Sequence, residues 1–167
     1  MNKAQTDNSH LLEKIDLRRE TISMIGKDNI LVLEAYSGDG VIWGEVKKSM
    51  PWVNIGILRI DKKPDRKGAY LRGDNIKFLK SIDLEPFDII DLDAYGLPTK
   101  QLSIIFDRGF SGFVHCTFIQ SGFGMLDNTL LNSCGYTKEM ISKCPTLFCR
   151  NGMEKCSLIC PIMGLVA

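Results

Sequence analysis

The chain has 167 residues, 44% hydrophobic and 25% charged, with 21 lysines and arginines against 20 acids. That length suits one domain able to bury its own core. The near-neutral balance excludes a protein built chiefly as a polycationic grip on nucleic acid, and the short, charge-interrupted apolar runs exclude a membrane span.

The opening MNKAQTDNSH lacks the apolar stretch of a signal peptide, so a cytoplasmic location is expected. Leu11, Leu12, Ile15, Ile22 and Ile25 recur at helical spacing. They predict a leading helix capped by Ser9 and closed by Gly26. Ile30 to Ala35 is an apolar run broken by Glu34 alone, as in a strand covered on both faces. Val41 to Met50 reads as helix, Asn54 to Ile60 as a second strand, Ala69 to Arg72 as a third, and Asn75 to Ser81 as a short helix. Phe87 to Leu92 is a fourth strand, Thr99 to Asp107 a helix, and Phe113 to Ile119 a fifth strand. Asp127 to Cys134 and Lys138 to Ser142 read as helices. Thr146 to Arg150 and Cys156 to Met163 flank Asn151-Gly152, a hairpin signal.

This alternation predicts an α/β fold. Its central sheet is mostly parallel, with right-handed crossovers, helices on both faces and a C-terminal antiparallel hairpin. No repeat or linker interrupts it. One structural domain is expected, with residues 1–28 as a leading helix and residues 29–167 as the ligand-binding part. The six cysteines (Cys116, Cys134, Cys144, Cys149, Cys156 and Cys160) contain no C-x-x-C spacing and follow no secretion signal. They read as small buried apolar side chains rather than zinc ligands or a disulfide framework.

The stretch Glu34-Ala35-Tyr36-Ser37-Gly38-Asp39-Gly40 follows the first strand and precedes a helix. In open parallel sheets ligands bind at the carboxyl ends of strands. Glycines let the backbone approach, and a helix start offers N–H groups to an anion. A dinucleotide fingerprint needs a third glycine where Trp43 stands, and Gly44 is one position late. A P-loop is excluded, because no Gly-Lys-Ser/Thr follows.

The stretch resembles the first motif of class I S-adenosylmethionine-dependent methyltransferases, acidic-x-aromatic/small-x-Gly-x-Gly. The resemblance covers the chain from about Ile30 onward and implies a Rossmann-like fold. It implies S-adenosylmethionine as cofactor. Glu34 and carbonyls near Gly38 would accept from its ammonium. Donors along Tyr36, Ser37, Gly38, Asp39 and Gly40 would meet its carboxylate. Asp61, with Lys62 beside it, closes the second strand where the family holds the ribose hydroxyls. Asp74 stands where the family places an acid near the adenine amino group, and the backbone N–H of Asn75 would meet a ring nitrogen.

Phe87 to Pro98, FDIIDLDAYGLP, resembles the motif that amino-directed members carry after the fourth strand. It is similar to the Asp-Pro-Tyr-Gly of tRNA guanine-N2 dimethyltransferases, here Asp93-Ala94-Tyr95-Gly96, with Ala94 in place of proline. By that resemblance Asp93 and the Ala94 carbonyl accept the hydrogens of an acceptor amine, Tyr95 stacks on its base, and Asp91 lies nearer the cofactor. Ser121-Gly122-Phe123-Gly124 is a candidate substrate wall. His115, in the fifth strand, reads as a core residue rather than a general base.

The expected activity is methyl transfer to an amino nitrogen, with nucleic acid as the first candidate substrate. The basic cluster Lys62, Lys63, Arg66 and Lys67 beside the cofactor edge suits a phosphate backbone. Recognition of the substrate falls to the leading helix, the loops or a protein partner. Two alternatives stay open. One is a non-catalytic member kept as a binding or partner subunit, which Ala94 favours. The other is an NAD-binding oxidoreductase, which Trp43 argues against.

Overall fold

The structure, a computed structural model, describes residues 10–94, 98–117 and 136–143. The elements run α1 (Leu11–Ile25), β1 (Asn29–Glu34), α2 (Val41–Ser49), β2 (Asn54–Asp61), β3 (Leu71–Arg72), α3 (Asn75–Ser81), β4 (Ile89–Leu92), α4 (Thr99–Asp107), β5 (Phe113–Cys116) and α5 (Lys138–Lys143). Each element expected between residues 10 and 117 is present. β3 is two residues long rather than four, and β4 begins at Ile89 rather than Phe87. The helix expected at 127–134 and the terminal hairpin lie outside the described residues.

The five strands pair in parallel throughout, in the order β3-β2-β1-β4-β5. This is a Rossmann-like α/β sheet. The chain steps from β1 outward to β3, then returns to the other side of β1 with β4 and β5. The winding therefore reverses between β1 and β4, and a crevice at their carboxyl ends is where such sheets hold ligands.

Alternation along each strand decides what the helices cover. Ile30, Val32, Ile55 and Ile89 pack with Ile15, Ile22, Trp43, Val46 and Met50 of α1, α2 and the turn that follows. Leu33, Ile60, Ile90 and Leu92 turn the other way, against Leu79, Leu102 and Ile105 of α3 and α4. Burial on both faces is why Ile30 to Leu33 of β1 form an unbroken apolar run. Full burial of one such side chain stabilises by about 1.5–3 kcal/mol.

α1 departs from its expected pattern. Leu12 is exposed, and the buried positions are Ile15, Arg18, Thr21 and Ile22. A buried arginine needs a partner, and its partner lies at the carboxyl edge described below. His10 precedes α1 without a side-chain cap, and Gly26 closes it in the left-handed conformation. The expected cap, Ser9, lies outside the described residues. Cys116 is half-buried against the α3/α4 core, and the other cysteines lie outside the described residues. No helix among the described residues is long and apolar enough to cross a membrane.

Candidate functional site

At the end of β1 the chain enters a tight turn. Ala35 N–H donates to Asp91 O at 2.9 Å, Ser37 N–H to Ile60 O at 3.1 Å, and Gly40 N–H to Ser37 O at 2.7 Å. Gly38 and Gly40 have φ of 50° and 68°, a region that side chains with a Cβ avoid. Gly40 is also crowded, because a Cβ there would collide with the Arg59 guanidinium. That guanidinium donates to Gly40 O at 3.3 Å and stands 3.2 Å from Glu34 Oε2. α2 starts at Val41, directly after Gly40.

Asp61 ties this turn to β2. Its Oδ2 accepts Gly38 N–H at 2.9 Å and its Oδ1 accepts Lys63 N–H at 2.7 Å. An ionised carboxylate offers about four acceptor positions, so about two remain for other donors. Arg66 reaches back from the next loop, with Nε 3.4 Å from Asp61 and Nη1 3.4 Å from Asp39. Lys62 is exposed beside them.

Gly73 N–H donates to Asp61 O at 3.0 Å, which brings the end of β3 alongside. Asp74 caps α3 through Oδ1, which accepts Ile76 N–H at 3.0 Å. Asn75 turns its side chain to β1. Its Nδ2 donates to Ala35 O at 3.0 Å, and its Oδ1 accepts from Gln101 Nε2 at 2.9 Å. Tyr36 is half-buried beside it. Burial raises the pKa of its phenol, against a hydrogen bond with Asn75. Thus Glu34, the turn 36–40, Asp61, Asp74 and Asn75, far apart in sequence, meet along one sheet edge. Ser37 Oγ is buried in that edge with no hydrogen-bond partner among the described residues.

Strand register builds a second feature. Arg59 lies opposite Glu34, Glu34 opposite Asp91, and Asp91 opposite His115. These residues form a row of ionisable groups across β2, β1, β4 and β5, at the top of the α1/α2 face. The Asp91 carboxylate, expected nearer the cofactor, is held by two helices. Arg18 of α1 donates through Nε to Oδ2 at 2.7 Å and through Nη2 to Oδ1 at 2.8 Å, and Trp43 Nε1 of α2 donates to Oδ2 at 2.6 Å. Burial pushes the Asp91 carboxyl up, but the charge and hydrogen bonds of Arg18 outweigh it and hold it below the usual range. Trp43 itself is fully buried, so the place of a third glycine is filled by an indole that packs α2 to the sheet and bonds β4.

Glu34 has no such grip. Burial, and then the nearby Asp91 charge, push its carboxyl up to about 8, against the pull of Arg59. The upward push outweighs the guanidinium at 3.2 Å. Burial pushes His115 down to about 4, and Nε2 is buried without a hydrogen-bond partner among the described residues.

Asp93 lies two residues beyond Asp91. Its Oδ1 accepts from Lys14 Nζ of α1 at 2.7 Å and from the Thr117 hydroxyl. Oδ2 accepts no hydrogen bond among the described residues. Ala94 is buried, and its N–H donates to Leu92 O at 2.8 Å. Tyr95 and the segment 121–124 lie outside the described residues.

Four cationic residues that shape this edge, Lys14, Arg18, Arg59 and Arg66, are not expected as partners from the sequence, nor are Gln101 and Thr117. Two had a visible signal. Arg18 sits three after Ile15 and four before Ile22, within the apolar stripe. Arg59 stands on the inward side of NIGILRI, two after Ile57. No group of His, Cys, Asp or Glu among the described residues is arranged to hold a metal ion.

No protein-family model matches the chain, and no curated protein matches it. Among solved structures it is similar to one titled as the crystal structure of MnmC2 from Aquifex aeolicus. The two are 17% identical with a TM-score of 0.39, over 60% of this chain and 44% of that one. This chain thus spans less than half of that structure's length.

Proposed function

We propose that the protein is an S-adenosylmethionine-dependent methyltransferase acting on an amino nitrogen, with nucleic acid as the substrate class. One observation carries the reading: the Asp61 carboxylate holds Gly38 N–H at 2.9 Å. It makes the glycine turn and the acid at the end of β2 a single unit at the carboxyl ends of β1 and β2, beside the reversal where such sheets bind ligands.

The residues present fit the group. Asp61 would keep acceptor capacity for two ribose hydroxyls once Arg66, which stands 3.4 Å away without a hydrogen bond from its Nε among the described residues, gives way. The orphaned Ser37 Oγ and the N–H groups at the start of α2 suit a carboxylate. Glu34 suits an ammonium, and a cation beside it would favour its ionised form. Asp74, at the start of α3, would lie toward the adenine. S-adenosylmethionine supplies an electrophilic methyl group on its sulfonium. Asp93, held on Oδ1 by Lys14 and Thr117, would accept an amine hydrogen on Oδ2, and the Ala94 carbonyl would accept the other. Holding the amine this way aims its lone pair at the methyl group, a gain of orientation rather than of proton transfer.

The anchoring of Asp93 to Lys14 also supports a second reading, a methyltransferase-fold subunit that binds cofactor or partner without turnover. Transfer of labelled methyl to RNA and DNA fractions separates the two. The enzyme reading predicts incorporation that Asp93→Ala abolishes while cofactor affinity stays. Cofactor binding with no incorporation into any fraction selects the non-catalytic reading.

A further inference from the structure

We propose that the β2–β3 loop, β3 and the outer side of α3 form a docking rim for a nucleic-acid phosphate backbone. That the rim delivers this backbone to the cofactor edge rests on the methyltransferase reading; the docking itself does not.

Between Asp61 and Ser81 the exposed charged side chains are Lys62, Lys63, Lys67, Arg72, Lys77 and Lys80, against one exposed acid, Asp65. The other acids there are engaged. Asp61 holds Gly38, Lys63 N–H and Arg66, and Asp74 caps α3. None of the six cations has an ion-pair partner among the described residues. Elsewhere Arg19 pairs with Asp16, Lys27 with Asp88, and Lys48 with Glu45, while Lys47, Lys100, Lys138 and Lys143 are exposed and scattered, without an ion-pair partner among the described residues. What sets the rim apart is the local excess, because the whole chain carries a formal net charge of only +1. Concentrated unpaired cations on one edge create the field that attracts a polyanion.

The rim is built rather than loose. Lys63 N–H is fixed on Asp61, Tyr70 Oη donates to Lys63 O at 3.2 Å, and Arg66 spans Asp39 and Asp61. A loop ordered before binding loses less entropy when it binds. β3 ends the strand order, so no described strand covers it. The surface also lacks what a membrane would need. Leu71 is the one large exposed apolar side chain in this segment, whereas membrane-surface elements pair basic residues with an apolar face.

The test is fluorescence anisotropy of the full chain with a labelled RNA stem-loop and a single-stranded DNA, over a salt series. Binding should be tight in low salt and fall steeply as salt rises. Lys67→Gln/Lys77→Gln/Lys80→Gln should weaken it at least about tenfold in low salt and flatten the log–log salt slope by about two to three. The control Lys47→Gln/Lys48→Gln, on α2, should leave both unchanged. Circular dichroism checks that each variant is folded. Equal losses in rim and control variants, no nucleic-acid binding in low salt, or binding to anionic phosphatidylserine vesicles alone would each overturn the proposal. Titration of the rim variant with S-adenosylmethionine should match the parent. If nucleic acid docks and no cofactor binds, the rim stands and the methyltransferase reading falls.

Discussion

Arg18 and Asp91, 73 residues apart, form a doubly hydrogen-bonded ion pair with side-chain exposures of 2% and 1%. The pair fixes α1 to the strand at the reversal of the sheet, and Lys14, one turn earlier, reaches Asp93 from the same helix. The leading helix is thus part of the site's scaffold. Removing one partner of a buried pair strands the other charge, at about 3–5 kcal/mol. Arg18→Met should lower the unfolding free energy by about that amount in urea titrations followed by tryptophan fluorescence. Arg18→Met/Asp91→Leu leaves no stranded charge and should recover much of it. Equal losses in the two variants would mean that the pair is not what holds α1.

Stability should depend on pH through two buried groups with opposite signs. His115 is lowered from 6.5 to about 4, so its contribution is present above 6.5 and is lost as pH falls through about 4. Glu34 is raised from 4.5 to about 8, so its contribution is present below 4.5 and is lost as pH rises through about 8. Between 4.5 and 6.5 the two slopes offset, and from 6.5 to about 8 the Glu34 slope acts alone. Asp91, lowered from 3.8, adds a further loss below that range. Urea midpoints should therefore show a plateau and then an alkaline decline. Glu34→Gln should remove the decline; a decline unchanged in that variant would assign it elsewhere.

Asp61 has two duties, one to the turn and one to the proposed ligand. Asp61→Ala should cost on the order of 2–4 kcal/mol of cofactor affinity, the worth of two charge-assisted hydrogen bonds. It should also lower the melting temperature, because Gly38 and Lys63 lose an acceptor. A lower melting temperature with unchanged affinity would leave Asp61 a structural residue alone.

The two glycines of the turn should not be equivalent. Gly38→Ala meets only the left-handed backbone, at about 1–2 kcal/mol. Gly40→Ala meets the same cost plus collision with a guanidinium held by Glu34. It should be the more damaging of the two by thermal unfolding. In an Arg59→Ala background its cost should fall toward that of Gly38→Ala, a coupling readable as a double-mutant cycle.

How far the sequence discloses this molecule follows from what sets each feature. Elements defined by local pattern were legible: α3 and α4 match their expected spans, because periodicity and turn residues are local signals. The turn 36–40 and Asp61 were legible as separate strand-end features. Their hydrogen bond was not, because it depends on β1 and β2 lying in register. The fate of Asp91 was illegible for the same reason. An acid at a strand end looks alike whether it faces a ligand or a helix, and only the packing of α1 over β4 selects Arg18 as its partner. Asn75 shows both sides: its place after β3 was predicted, while its side-chain bonds to Ala35 and Gln101 needed the three-dimensional fold.

The most direct measurement is calorimetric titration of the full chain with S-adenosylmethionine, S-adenosylhomocysteine and NAD in parallel. Micromolar binding of the first two and none of the third is expected. Binding of NAD alone, or of none of the three, would contradict the assignment of the Glu34–Gly40 turn and Asp61 to S-adenosylmethionine.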